Sequence, residues 1–309
     1  MKKIQEQTGN DSVCTEEKKR KLEELNVIDD FLMNAAASDA EGGEEFCRRI
    51  LSTLLRKDIG RVHVNAQKVI PAGTPSLRGI RMDVEVLEET ESAWNVYDIE
   101  PCKYHKKGLE KSNRFYQARI DSRYLESGER DFRKLPNLYI ITILPYDPFG
   151  EDYMMYQFYN QCEEVPGLAY GDGLRYIYFN TKGKKGGSPA IQEMLQYFQE
   201  STEMNAKGEN LQRIHDHVKK VKILPEVREE FMRLDDIIYY EREEAAKEAS
   251  EKADRNRAVQ DILELLKEYG EPSENLRSRL EKETDNALLK KWLKLAAKSE
   301  TLEDFEKKM

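Results

Sequence analysis

Apolar and polar residues alternate with a period of two in two neighbouring segments, 79–86 and 94–102. In the first segment every second position is apolar: Ile80, Met82, Val84 and Val86. Successive side chains of a strand point to opposite faces, so this pattern predicts a strand with a core face on one side and Asp83 on the other. One face of the second segment carries Val96, Asp98, Glu100 and Cys102. The two segments are therefore predicted to form a central pair of strands.

Helical and strand patterns alternate through the rest of the first two thirds of the chain. Apolar residues recur at helical spacing over 28–55, interrupted at Gly42 and Gly43, which predicts a pair of helices covering the sheet. The run 138–144 is nearly all apolar and rich in β-branched residues, as in a fully buried central strand. The remaining predicted elements are a strand at 62–70, a helix at 109–125, and strands at 153–159 and 174–179.

From Pro189 onward the pattern is almost wholly helical. Pro225 stands at a first-turn position of a long helix whose middle is Glu, Lys and Ala, with little apolar surface. Such a helix needs a partner helix or many ion pairs between successive turns, so a coiled coil or dimer arm is one interpretation. Short helices are expected over 273–309. The predicted organisation is a polar leader at 1–26, an α/β domain at 27–222, and a long helix with a small helical region at 223–309.

Composition limits the class of protein. The 309 residues carry a net charge of -9, which argues against nucleic-acid binding over the whole surface. The four cysteines lack the paired spacing of a zinc site or a redox motif and are expected to be reduced thiols. The N-terminus lacks the apolar core of a signal peptide, and no run is long enough for a membrane span. A cytoplasmic protein without membrane contact is expected.

Local charge differs from the total. Residues 101–134 contain ten Lys or Arg against five Asp or Glu, an excess of five positive charges. This basic stretch begins directly after Glu100. It is either a solvated helix face or the place where a nucleic-acid backbone lies.

Asp83 and Glu100 are the candidate metal ligands. Carboxylate oxygens are hard ligands, and two of them on paired strands can share one Mg²⁺ or Mn²⁺. A cation held there would activate water and neutralise charge at a phosphate. The pattern therefore predicts a metal-dependent nuclease.

Four stretches of the chain resemble a known family. They are Gly-Ile-Arg-Met-Asp-Val (79–84), Tyr-Asp-Ile-Glu (97–100), Arg-Phe-Tyr-Gln (114–117) and the apolar run 138–144. In this order they resemble the PD-(D/E)XK nucleases, in particular the recombination-promoting nuclease and putative transposase family, over roughly residues 28–220. The resemblance implies an α/β fold with a restriction-endonuclease-like core, a mixed central sheet flanked by helices, to which the helical C-terminal extension is added. It also implies a DNA endonuclease of bacterial recombination or mobile elements.

The resemblance assigns roles to individual residues. Asp83 and Glu100 would bind the metal, and an acid near the start of the second helix, Glu45 with Glu44 or Asp39 as alternatives, would be an accessory ligand. Cys102 stands where the family usually has Lys or Gln, so a nearby lysine would have to supply the positive charge. The candidates are Lys103, which strand alternation points away from Glu100, and Lys106 or Lys107 from the following loop. The residues expected to hold the nucleic acid are Lys107, Lys111, Arg114 and Tyr116.

Cys102 leaves more than one function open. The first is a Mg²⁺- or Mn²⁺-dependent DNA endonuclease that tolerates the thiol. The second is a degenerate nuclease fold that binds nucleic acid or protein without cleaving, because a thiol neither orients water well nor offsets developing charge. A third is an oligomeric scaffold built on the long helix, which would show no salt-dependent DNA binding.

Overall fold

A mixed sheet of six strands forms the centre of the first part of the chain in the computed structural model, which describes residues 21–66, 69–70, 80–90, 94–125 and 128–309. Its spatial order is β1, β4, β5, β6, β8, β7. Strands β1, β4 and β5 are antiparallel neighbours, β5, β6 and β8 run parallel, and β7 returns antiparallel at the edge. The strands are β1 Val62–Ala66, β4 Val84–Glu89, β5 Trp94–Pro101, β6 Asn137–Leu144, β7 Met155–Phe158 and β8 Leu174–Asn180. A separate two-stranded sheet pairs β2 Val69–Ile70 with β3 Ile80–Arg81.

Helices cover both faces of this sheet. On one face, a large core packs the sheet against four helices: α1 Asp30–Ser38, α2 Gly43–Leu55, α4 Pro189–Gln199 and α5 Gly208–Ile223. On the other face lies α3 Leu109–Asp121, which packs through Ile120 on Val96, Leu138 and Ile140. Short 3-10 helices occur at Phe132–Lys134 and Glu203–Asn205. The sheet flanked by helices confirms the predicted mixed α/β class.

The predicted first and second strands are each divided. In place of the first predicted strand the described residues form β1 and β2, and in place of the second they form β3 and β4. Strands β1 and β4 belong to the large sheet, whereas β2 and β3 form the small one. The division falls at Met82 and Asp83, so Met82 is buried under α3 whereas Val84 is buried in the large core. The prediction of one continuous strand through Asp83 was wrong. Gly79 of the first motif lies outside the described residues.

Other predicted elements are confirmed with shifted ends. The helix pair over 28–55 is present as α1 and α2, and the buried strand over 138–144 is present as β6. The helix predicted to reach 125 ends at Asp121. Most of the predicted polar leader, residues 1–20, lies outside the described residues. The end of that leader is packed, since Leu22 is buried and the side-chain amide of Asn26 accepts from the Ser201 backbone N–H at 2.8 Å.

The chain divides into two compact units, the second of them Arg233–Met309. The unit boundary lies within a long helix, α6 Pro225–Lys267. The predicted start of the helical C-terminal region, residue 223, lies just before this helix. The second unit also contains α7 Glu274–Lys282, α8 Asn286–Ala296 and α9 Leu302–Lys308. Their core is formed by Ile262, Leu266, Leu280, Leu289, Trp292 and Phe305. None of the described helices combines the length and apolar character needed to cross a membrane.

Candidate functional site

Asp83 and Glu100 meet where the divided strand joins the large sheet. Val84 pairs with Ile99 in the antiparallel register of β4 and β5, so the next positions outward are Asp83 and Glu100. The backbone N–H of Asp83 donates to Oε1 of Glu100 at 3.3 Å. The structure therefore brings the two predicted metal ligands together at one end of the β4–β5 pair, on the side covered by α3.

Asp98 adds a third carboxylate on the same face, two residues before Glu100. Its side chain is fully buried, and both carboxylate oxygens lack a hydrogen-bond partner among the described residues. Directly opposite on β4 is Glu85, another buried acid. Like charges that face each other across strands are destabilising. Glu85 is compensated by an ion pair with Arg123 and by the Asn65 amide at 2.9 Å, but Asp98 has no such hydrogen bonds.

Glu88 is a buried acid of the same sheet whose hydrogen bonds are satisfied, as expected for a structural residue. It accepts hydrogen bonds from the Tyr97 hydroxyl at 2.6 Å, the Asn95 amide at 2.8 Å and the Gly60 backbone N–H at 2.8 Å. Lys57 adds a positive charge at 3.4 Å. These groups hold the pKa of Glu88 below its usual range although burial acts in the opposite direction. A complete set of partners is thus available in this fold, and Asp98 lacks one.

Burial and mutual repulsion act together on the acids near Asp83. Burial, followed by the charges of Asp83 and Glu85, raises the pKa of Asp98 well above its usual range. The pKa of Glu100 is also raised well above its usual range, by burial and then by Asp98 and Asp83. Each carboxyl is costly to ionise in this arrangement. A cation that bound here would relieve that cost and displace protons as it bound.

Lys106 is the lysine whose charge reaches the cluster. Its positive charge lowers the pKa of Asp98, of Glu100 and of Cys102, against the larger effect of burial on each. The ammonium lies 5.2 Å from the centroid of the Tyr116 ring, a cation–π contact. When Asp83, Asp98 and Glu100 are all ionised, the single ammonium leaves an excess of two negative charges.

The other candidate lysines are placed differently. Lys103 points away from Glu100, as strand alternation predicts, and its ammonium pairs with Asp29 at 2.5 Å. Lys107 is exposed in the loop that leads to α3. Of the three lysines, the structure therefore brings only Lys106 into electrostatic contact with the acids.

Cys102 continues β5 beside the carboxylates. Its backbone N–H donates to the Ile143 carbonyl at 2.8 Å, and its thiol contacts the Tyr104 carbonyl at 3.3 Å. Burial raises the pKa of the Cys102 thiol, and the charges of Glu100 and Asp83 raise it further. The thiol is consequently neutral near pH 7 and supplies no positive charge at the position where the resembled family has Lys or Gln.

Helix α3 divides its candidate residues between two sides. Tyr116 is half-buried and contacts Lys106, next to the carboxylates. Arg114 and Lys111 are exposed and line a separate pocket of about 470 Å³ against β7 and β8. Residues two apart on a helix point in different directions, so Arg114 and Tyr116 do not act at one point. Both sides of α3 lie on the same face of the central sheet.

Glu45 lies on α2, which packs on the opposite face of the sheet from Asp98 and Glu100. Its carboxylate is ion-paired with Arg48 and Arg49, each at 2.6 Å. The alternatives are also engaged, since Glu44 contacts His63 at 3.0 Å and Asp39 lies 3.6 Å from Lys220. The structure does not bring Glu45 into contact with the acid cluster.

Asp83 and Glu100 are carboxylates, the type of ligand that a hard divalent cation prefers. In the described ranges, no three or more His, Cys, Asp or Glu are placed so that they could hold a metal ion together. Mg²⁺ does not require such a group, since it keeps several waters and is often held by one or two carboxylates together with substrate phosphates. The unpartnered oxygens of Asp98 beside Glu100 are the observation that supports a cation here.

Asp98 was missed as a site residue by the sequence reasoning, although its position was visible. It lies two residues before Glu100 on the face that also carries Cys102, so strand alternation already placed it next to the predicted ligand. An acid between two buried apolar neighbours, Tyr97 and Ile99, was the signal. Acids are almost never fully buried without a partner.

No protein-family model, curated protein or solved structure matches the chain. The likeness to PD-(D/E)XK nucleases therefore rests on the motif residues themselves. What the geometry adds is the proximity of Asp83, Asp98 and Glu100 and the approach of Lys106.

Replacing Asp98 by Asn should stabilise the first unit near neutral pH. An acid whose pKa is raised by folding stabilises fully below its unfolded pKa, about 3.9, and loses that contribution as pH rises through the folded pKa. The gain from Asp98→Asn is therefore expected at pH 8 and should disappear near pH 4. The measurement is the urea midpoint at both pH values, followed by Trp94 fluorescence in a Trp292→Phe background.

Glu88→Gln is the matched control, with the opposite sign. The pKa of Glu88 is lowered in the fold, so this acid stabilises above about pH 4.3 and the contribution is lost as pH falls. We expect Glu88→Gln to cost about 1–3 kcal/mol at pH 8, because its donors lose their acceptor. Equal destabilisation by both substitutions would show that Asp98 has compensation comparable to that of Glu88.

Proposed function

We propose that this chain is a metal-dependent DNA endonuclease with a restriction-endonuclease-like core. The observation that carries the proposal is the fully buried Asp98, without hydrogen-bond partners, beside Asp83 and Glu100. A structural site would be expected to resemble Glu88, with each oxygen satisfied. A cluster left with excess negative charge is suited to a divalent cation.

Each residue of the cluster has a distinct part. Asp83 and Glu100 would hold Mg²⁺ or Mn²⁺, with Asp98 close enough to strengthen the negative field at the site. The cation, when bound, would lower the pKa of a water and neutralise charge on the scissile phosphate. Lys106 offers the positive charge that Cys102 does not, and Tyr116 positions its ammonium. The role assigned to Lys106 is therefore stabilisation of developing negative charge.

DNA is the proposed substrate because the site is bordered by basic residues. Lys107, Lys111 and Arg114 are exposed on the loop and helix that follow the cluster. Phosphate binding depends on such local charge, and a net charge of -9 for the chain does not prevent it. A role in recombination or mobile elements follows from the resemblance alone and is part of the proposal.

Self-association through α6 is a second part of the proposal. Within the second unit, this helix exposes Leu234, Ile237, Ile238, Tyr239 and Tyr240. An exposed apolar patch on an otherwise charged helix is typical of a surface that pairs with another chain. A second copy of the same helix would cover it.

Cleavage of supercoiled plasmid tests the nuclease directly. Wild type with Mg²⁺ or Mn²⁺ should nick the plasmid, whereas Asp83→Ala and Glu100→Gln should lower the rate at least about 100-fold, because electrostatic stabilisation is lost. Glu89→Gln is the matched control, since this acid is exposed near the far end of β4 and should leave the rate unchanged. Nicking that persists in both site variants would overturn the proposal.

If wild type does not cleave the plasmid, variants at Cys102 distinguish two explanations. If only Cys102→Lys or Cys102→Gln cleaves, the fold and metal site are intact and the chain is a nuclease that decayed at this one position. If no variant cleaves and metal binding does not depend on Asp83 and Glu100, the endonuclease proposal fails.

Lys106→Met should lower kcat about 100-fold with little change in KM, because its charge acts at the acid cluster. Lys103→Met is the control from the same loop, since its ammonium pairs with Asp29 and kcat should be retained. Steady-state kinetics on a labelled oligonucleotide separate the two constants. A similar loss of kcat in both variants would instead indicate a general effect of charge in the loop.

Light scattering at micromolar concentration tests the α6 pairing. We expect a mass of two 36.1 kDa chains, and Ile237→Lys with Tyr240→Lys should give a single chain because the apolar surface is lost. Glu248→Lys, on the same exposed helix but outside the patch, should leave the dimer intact. A clean monomer for wild type would exclude this arrangement.

A further inference from the structure

The pocket beside α3 combines aromatic walls with positive charge. It has a volume of about 470 Å³, within the range of small-ligand sites, and opens between α3 and the β7–β8 edge of the sheet. Neither the metal ligands nor Lys106 lines it. The chemical step of the proposed cleavage therefore does not use this pocket, although Lys111 and Arg114 of its lining belong to the proposed DNA-binding surface.

Three aromatic rings pack together at one wall, where Tyr178 stands edge to face against both phenylalanines. The Phe149 and Phe158 centroids are 5.0 Å apart, and Tyr178 lies 5.2 Å from Phe149 and 5.7 Å from Phe158. Tyr178 is buried, but Phe158 is 44% exposed although it borders the pocket. An exposed ring in a pocket offers an apolar surface on which a planar ligand can stack.

The polar lining suits a nucleotide. Lys111 and Arg114 stand on the α3 wall and can contact a phosphate. Gln117 and Asn160 place amide groups at the same pocket, and amides bond to the edges of bases. Glu110 also lines the pocket, so Lys111 and Arg114 leave an excess of one positive charge. This excess favours an anionic ligand over a cationic one, which would be the other common occupant of an aromatic wall.

A continuous row of residues joins the pocket to the acid cluster. Glu100 pairs with Thr142 on β6, and Thr142 pairs with Tyr178 on β8. Asn113 ties the row to α3, donating to the Thr142 hydroxyl at 3.0 Å and the Tyr178 hydroxyl at 3.2 Å. Adjacent strands are about 4.8 Å apart, so the backbone of Tyr178 lies roughly 10 Å from that of Glu100. A neighbouring nucleotide of a strand bound at the metal site can span this distance.

We propose that this pocket binds an unpaired nucleobase, stacked on Phe158 with its phosphate held by Lys111 and Arg114. The inference rests on the proposed nuclease function and specifies its substrate as DNA with unpaired nucleotides next to the scissile bond. Bases within a continuous duplex are stacked on their neighbours and cannot enter without being turned out. Stacking on aromatic side chains accepts any base, so the pocket selects DNA structure more than sequence.

Binding of single-stranded and duplex DNA to the full chain tests the pocket without requiring cleavage. The probe is an oligonucleotide with one 2-aminopurine, used alone and as a continuous duplex, with binding followed by anisotropy in the Glu100→Gln background. We expect tighter binding of the single strand and quenching of 2-aminopurine. Phe158→Ala should weaken single-strand binding about 5- to 100-fold and abolish the quenching, with duplex affinity unchanged.

Phe132→Ala is the control, because Phe132 is 69% exposed and does not line the pocket, and it should leave both affinities unchanged. Arg114→Gln should weaken single-strand binding and reduce its salt dependence by about one phosphate contact. Equal affinity for both DNAs, or a Phe158→Ala variant that binds and quenches like wild type, would overturn the pocket proposal.

The two proposals fail separately. If neither wild type nor the Cys102 variants cleave the plasmid but Phe158-dependent stacking is present, the nuclease proposal fails and the pocket stands as a nucleic-acid-binding site. If Asp83-dependent cleavage is present without stacking, the nuclease stands and the pocket assignment is wrong.

Discussion

Buried negative charge on one face of the central sheet is the constraint around which the first unit is organised. Carboxyl groups inside a protein need partners in order to ionise, and here four acids occupy neighbouring positions on β4, β5 and the bend before β4. Glu85 forms an ion pair with Arg123, which directly follows α3. The helix that covers this face of the sheet therefore also places the compensating charge. Glu100 accepts from the Asp83 backbone N–H and is influenced by the charge of Lys106. Asp98 accepts no hydrogen bond among the described residues and is influenced by the charges of Lys106 and Arg123. This imbalance separates the candidate site from the rest of the core.

The faces of the central strands could be read from the sequence because burial enforces a period of two. Val96, Asp98 and Glu100 share a face, as the pattern of β5 requires, and β6 is buried as its apolar run predicts. The break between β3 and β4 at Met82 and Asp83 could not be predicted from the sequence. Apolar and polar residues alternate in the same way whether β3 continues into β4 or pairs in another sheet. The partner of a strand is set by contacts distant in sequence.

The same limit explains the site residues. The proximity of Asp83 and Glu100 could be predicted because the segments that carry them are neighbours in sequence and β4 pairs antiparallel with β5. The approach of Lys106 depends on the path of a loop, and the location of Arg114 depends on how α3 rotates over β6 and β8. Neither has a periodic signature. Partners far along the chain, such as Asp29 for Lys103, are equally invisible in the local pattern.

In the PD-(D/E)XK pattern a lysine or glutamine two residues after the Glu stands on the strand, and here that position is Cys102. The positive charge near Asp98 and Glu100 comes instead from Lys106. A lysine on the strand itself is held by the sheet, whereas Lys106 comes from the loop between Pro101 and α3. That loop ends at Gly108, whose φ of 69° lies in the region that favours glycine, and the contact with Tyr116 fixes the ammonium from the helix side. Charge compensation thus depends on how α3 and the loop are held together. Because α3 also supplies Lys111 and Arg114, a strand of DNA that contacts this helix would act on the same element that positions Lys106. Under the proposed function, DNA binding and the placement of the Lys106 charge would be coupled through one helix.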